Sequence, residues 1–274
     1  MFYNYVVVLI TTFITNQLLH FFISILVYYI FLRFLLLYLI MIGGRHMAKK
    51  GLTDSPIYEA MNYFSWFVIS NIYFVVLNIF LVIFLFGIQV ELDNIYYYLI
   101  LFVVALPLAP SFTALLSVMG KLVREGDISL TKDFFKAYKE NFKQAFAIGL
   151  LFTTIIVILL IDIQIVKASS LASFLVPIFY ACIFSILLIA LYAFPIVSRF
   201  YLKTKDVLKL SAFYIIKKFK HTVLNIAGIA AMFLLASYAP SVAYMFFASV
   251  IAYIIMLNDK SILKEIEEKI IDKQ

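Results

Sequence analysis

The chain has 274 residues, 65% of them hydrophobic and only 14% charged, with a mean hydropathy of +1.07. Soluble domains run nearer half apolar and a quarter charged, so a water-soluble globular protein is excluded. The net charge of +7 reads as membrane orientation and lipid contact rather than nucleic-acid binding, and one cysteine, Cys182, supports neither a disulfide framework nor a thiolate metal cluster.

Residues 1–46 form an apolar extension with Asn16, Gln17 and His20 inside it and Arg33 in its second half. It lacks the basic start and cleavage site of a signal peptide. An arginine at membrane depth is costly, and the Gly-Gly of IGGRHM (42–47) stands where a ribosome-binding site would precede a Met47 start codon. The expectation is that 1–46 is upstream read-through; the competing reading is a seventh span with its N-terminus outside.

From Met47 on, six segments are long and apolar enough to cross a bilayer: 64–88, 95–119, 145–166, 171–197, 222–239 and 241–257. The fold expected is all-α, a polytopic transmembrane helical bundle with amphipathic cytoplasmic helices. Residues 47–258 make the six-span domain and 259–274 an amphipathic tail, read as a solvated extension of the last span. The short connections 89–94 and 162–170 carry only Lys167, whereas 121–144 and 199–221 are rich in lysine and arginine. The positive-inside rule then puts both ends of 47–274 and both long connections on the cytoplasmic side of the plasma membrane. Tyr96, Tyr97 and Tyr98 fall at the outer interface, Tyr63 and Trp66 at the inner one.

Over 130–146, Lys132, Lys136, Lys139 and Lys143 share one narrow arc at 100° per residue, with Leu130, Phe134, Phe135, Tyr138, Phe142 and Phe146 opposite. This pattern suits a helix lying in the headgroup layer with its lysines snorkelling. Residues 205–220 repeat it less cleanly with Lys205, Lys209, Lys217 and Lys220. These lysines, with Lys121 and Arg124, are the expected contacts to anionic headgroups or a protein partner. TKDFFK (131–136) and TKDVLK (204–209) also match; each follows a proline-containing span end and precedes a span. A parallel internal repeat and chance likeness of short lysine-rich helices are both compatible with this.

PLAPSFTALLSVMGKLVREGDISLTKDFFKAYKENFKQ (107–144) and LYAFPIVSRFYLKTKDVLKLSAFYIIKKFKHT (191–222) together resemble the YesL-like family of bacterial membrane proteins. The resemblance covers Met47 to about Asn258. It implies the six-span topology and a setting in carbohydrate uptake or utilisation, with a sugar importer as the kind of partner, and supplies no catalytic residue.

The chain holds no GxxxxGK[ST], HExxH, GxSxG or GxGxxG motif, so no enzyme, cofactor or metal is expected. Among the second to sixth spans the only acid expected at depth is Asp162, at an outer span end, which disfavours an ion-coupled transporter. Asn71 and Asn78 share a helix face, where amides usually serve packing. Pro107 and Pro110 withdraw backbone donors from the carbonyls of Val103 and Leu106. This predicts either a plain kink or a small cavity lined by Ser111 and Thr113, above Lys121 and Arg124. The function expected is an accessory membrane protein that binds lipid and a partner; the alternative is a small secondary permease built on the repeat.

Overall fold

The structure is a computed structural model that describes residues 56–87 and 94–271, so the readings made on 1–46 lie outside the described residues. It is all-α. In chain order the helices are α1 (Pro56–Leu77), α2 (Ile79–Gly87), α3 (Ile95–Ala105), α4 (Leu108–Glu125), α5 (Leu130–Val166), α6 (Ala172–Val197), α7 (Thr204–Lys217), α8 (Phe219–Tyr238), α9 (Pro240–Asn258) and α10 (Lys260–Ile271). Six stretches are long and apolar enough to cross a membrane: Ala60–Leu77, Ile95–Glu125, Leu130–Val166, Ala172–Val197, Phe219–Tyr238 and Pro240–Asn258. They match the six expected spans in number and order.

Two compact units divide the chain. The smaller includes residues 60–69 and 232–247, where Phe64 meets Phe246 edge-on and Phe233 meets Phe247 likewise. The larger, 70–231 with 248–271, holds every site discussed below.

Local chemistry sets the helix ends. Asn94 caps α3 by accepting the Tyr96 N–H at 3.0 Å. Gly126, at φ +74°, closes α4 in the left-handed conformation that L side chains resist, its N–H on the Leu122 carbonyl at 2.9 Å. Three residues on, Ser129 opens α5, and Asp133 reaches back to accept the Ser129 N–H at 2.9 Å, in the manner of a capping box.

The proline segment breaks the second span into α3 and α4. Pro107 has no N–H for the Val103 carbonyl, which accepts the Leu106 N–H at 3.3 Å instead. Just beyond, Gly149 of α5 lies so close to Ala109 of α4 that an added Cβ would overlap the alanine side chain. Small residues on both helices permit this crossing.

The lysine-rich segment differs from the expectation. α5 is one helix of 37 residues, with lysines at its start and apolar side chains after Phe146. At 1.5 Å per residue it is about 55 Å long, against about 30 Å of hydrocarbon. No glycine or proline lies between Leu130 and Ile148, so nothing bends the backbone where the hydropathy changes. The stripe continues the span and does not form a separate helix. Its apolar side is also divided. Leu130 and Phe134 are buried, Phe134 against Tyr73 with ring centres 5.4 Å apart, while Phe135 and Phe142 are exposed.

The second lysine-rich segment does form its own helix, α7. The helix breaks at Lys218 (φ −117°, ψ 42°) before α8. The Thr222 hydroxyl donates to the Ile215 carbonyl at 3.2 Å across this break. The two copies of the TKD motif thus begin alike and end differently, one continuous with its span and the other not.

Candidate functional site

The larger unit gathers its basic connections at one end. Gln144 Nε2 donates to the Leu202 carbonyl at 2.7 Å, tying α5 to the segment before α7. Lys260 Nζ donates to the Val123 carbonyl at 3.4 Å, tying α10 to α4. The opposite end is marked by Gln164 Nε2 donating to the Tyr98 hydroxyl at 2.7 Å, beside a cavity of about 210 Å³ lined by Ile95, Tyr98, Ile161, Gln164 and Ile165.

The tail is not a solvated extension. α10 buries Ile262, Leu263 and Ile266, which recur on one helical face, and so docks on the basic end. Glu265 anchors it: Oε1 meets Lys217 Nζ at 2.6 Å and Lys269 Nζ at 2.7 Å, and Oε2 meets Lys218 Nζ at 3.1 Å. Lys217 and Lys269 hold the Glu265 carboxyl well below the usual carboxylate range, against a smaller opposing effect of burial. Two residues on, Glu267 accepts from Arg199 Nη2 at 2.5 Å. Lys217 is therefore engaged by the tail. Lys121 is likewise engaged, at 2.8 Å from Asp133.

The remaining expected contacts stay on the surface. Lys132, Lys139, Lys143, Lys205, Lys209 and Lys220 are exposed and have no acidic partner within ion-pair distance among the described residues. Lys136 has only Glu140, 4.0 Å away. Arg124 is exposed near the end of α4. Phe135, Phe142, Phe213, Ile216 and Phe219 are exposed among these cations.

The cavity residues are packed together. Ser111 and Thr113 have no exposed surface. The Thr113 hydroxyl donates to the Ala109 carbonyl at 2.8 Å. Ser111 Oγ lies 2.8 Å from the Pro107 carbonyl and accepts from Asn78 Nδ2 at 2.7 Å. Pro110 is buried in the same turn, while Pro107 caps the start of α4. Asn71 sits apart and accepts the backbone N–H of Ala248 at 3.0 Å. This is the arrangement of a packed kink: the hydroxyls satisfy backbone acceptors and the amides join helices.

One buried group was missed in the sequence. It is Asp259, just beyond the last span between α9 and α10, which is 1% exposed. Asn225 Nδ2 donates to its Oδ1 at 3.0 Å. Asn225 Oδ1 in turn accepts from Asn258 Nδ2 at 2.8 Å. Asn258 also donates to the His221 carbonyl, and the His221 ring Nδ1 lies 2.8 Å from the Asn258 carbonyl, so it carries the proton. Tyr192 and Thr222 pair beside them at 2.8 Å, both buried. The signal was available as Thr222 and Asn225 at i,i+3 where α8 turns apolar after Lys220 and His221.

Residues 67–163 match the model of a family described as "Protein of unknown function, DUF624". The matched range includes the proline segment and the lysine stripe of α5 but ends before α7. The chain is also 29% identical over 164 residues to "Uncharacterized protein YteU" of Bacillus subtilis (strain 168), covering 58% of this chain and 72% of that protein. No solved structure matches.

Proposed function

We propose that the chain is a multi-pass inner-membrane accessory protein whose basic end holds anionic headgroups and a protein partner, in the setting of carbohydrate uptake. The observation that carries this reading is the charge left over at that end. The acids Asp133, Glu265 and Glu267 are engaged internally, by Lys121, by Lys217, Lys218 and Lys269, and by Arg199. Lys132, Lys139, Lys143, Lys205, Lys209 and Lys220 remain exposed beside exposed Phe135, Phe142, Phe213 and Phe219. Exposed lysines around aromatic rings suit the cytoplasmic headgroup layer, where each contributes about 1 kcal/mol near an anionic leaflet. The sugar setting rests on the YesL-like resemblance. The permease alternative was built on the repeat, and its second copy breaks where the first continues.

The test is photo-crosslinking of the full-length protein in cells, with the reactive residue at Lys139 or at Phe213. Adducts to a sugar-importer subunit from Lys139 and to phospholipid from Phe213 are the expected result. Phospholipid adducts at both positions would remove the partner and the sugar setting. Uptake of a sugar by the purified protein alone in liposomes would establish the permease instead.

A further inference from the structure

We propose that Asp259 is a proton-binding site: its carboxyl is held neutral with the proton on Oδ2, and loss of that proton loosens α10 from the basic end. The geometry supplies the argument. Asp259 is 1% exposed, and its Oδ2 has no hydrogen-bond partner among the described residues. A buried carboxylate is tolerated when a cation or several donors face it. Among the described residues the only side-chain donor here is the neutral amide of Asn225, and it serves Oδ1.

The cations nearby are turned elsewhere. Lys260, the next residue, carries its Nζ to the Val123 carbonyl. His221 on α8 directs Nδ1 to Asn258 rather than to Asp259. Tyr192 on α6 is bonded to Thr222. The amide chain runs in one direction, from His221 through Asn258 and Asn225, and delivers a single hydrogen bond to the carboxyl. Its second oxygen is left for a proton. In agreement, burial pushes the Asp259 pKa up to about 7, with the Asn225 hydrogen bond acting the other way.

The coupling to α10 follows from where Asp259 stands. Its carbonyl accepts the Leu263 N–H at 2.9 Å in the first turn of α10, and its own N–H is on the Ile255 carbonyl of α9 at 2.8 Å. The carboxyl therefore sits at the joint between the last span and the docked tail. An ionised Asp259 needs water, and water reaches it only if α10, with its buried Ile262 and Leu263, lifts.

The test uses the full-length protein in nanodiscs. Infrared difference spectra from about pH 5.5 to 8.5 should show one protonated carboxyl C=O stretch that disappears near pH 7, well above the range of exposed carboxyls. Asp259→Asn should lack this band. Hydrogen exchange of the α10 amides, corrected for intrinsic rate, should speed up about tenfold per pH unit above the titration in the native protein. It should not change with pH in the Asn variant. The infrared titration of the native chain stands even if the variant fails to fold. No protonated carboxyl above about pH 5.5 would overturn the site. A titrating band with unchanged α10 exchange would overturn the coupling.

Discussion

Asn78 Nδ2 donates to Ser111 Oγ at 2.7 Å inside the protein, and so joins the break between α1 and α2 to the break between α3 and α4. The same amide also donates to the Phe74 carbonyl at 2.7 Å. Two interruptions of helical backbone are thus stabilised by one side-chain pair. We expect Asn78→Ala and Ser111→Ala each to lower stability, with a coupling between them of about 0.6 kcal/mol and at most about 1.7. A double-mutant cycle on detergent-unfolding curves measures it, and additive losses would show that the bond contributes nothing.

The α4–α5 crossing should be the least tolerant of added volume. Gly149→Ala puts a methyl group onto Ala109, and two helix backbones must separate to admit it. The expected cost is about 1–3 kcal/mol. Adding Ala109→Gly should recover part of that loss. Thermal unfolding of the two variants is the measurement, and no recovery in the double variant would place the strain elsewhere.

Docking of α10 should have an optimum in pH, because two carboxyls act in opposite senses. Glu265 is depressed below its ordinary 4.5 by its lysines, so its contribution is present above about that value and is lost as the pH falls further. Asp259 is raised from 3.8 to about 7, so the native state binds the extra proton and stability declines as pH rises through that window. Limited trypsin cleavage at Lys264, buffered at several pH values, should be slowest in mildly acidic solution. Glu265→Gln should weaken protection throughout and leave the alkaline loss in place.

Accessibility and topology can be checked together in a Cys182→Ser background, since Cys182 is itself exposed. Cysteines at Ser111 and Thr113 should resist a membrane-impermeant thiol reagent, and those at Lys139 and Lys209 should react from the cytoplasmic side. A reporter active only in the periplasm should work after Asn94 or Ser170 and be silent after Gly126 or Thr204. The opposite pattern would reverse the orientation drawn from the lysines.

The lysine-rich segments show how far the sequence could be read. The stripe of Lys132, Lys136, Lys139 and Lys143 was legible because a helix converts spacing directly into a face. That its apolar side is shared between protein and surroundings was not, because Phe134 and Phe135 are adjacent, both meet Tyr73 from far back in the chain, and yet Phe134 is buried and Phe135 exposed. The continuity of α5 was legible in principle. Hydropathy changes near Ala145, but the backbone contains no residue that would end a helix there. Lys217 and Lys218 read as two more surface cations until Glu265 arrived, 48 residues away from Lys217.

Span number and order, the one-sided distribution of lysine, the kink at Pro107 and the helix ends at Asn94 and Gly126 were determined by the sequence itself. Each depends on transfer free energy or backbone sterics summed over neighbouring residues, and these quantities are local. The fate of individual polar groups was decided only by the tertiary structure. Asp259 stands in NDKSILKEIEEK, a run that reads as solvated, and it is buried because α10 packs its apolar face on the protein and α8 presents Asn225. Ser111 and Thr113 read first as residues of a plain kink, with cavity lining as the alternative, until Asn78 and the Ala109 carbonyl met them. Whether a polar side chain is paired, charged or bare depends on groups distant in the chain, and only the folded packing brings those groups within bonding distance.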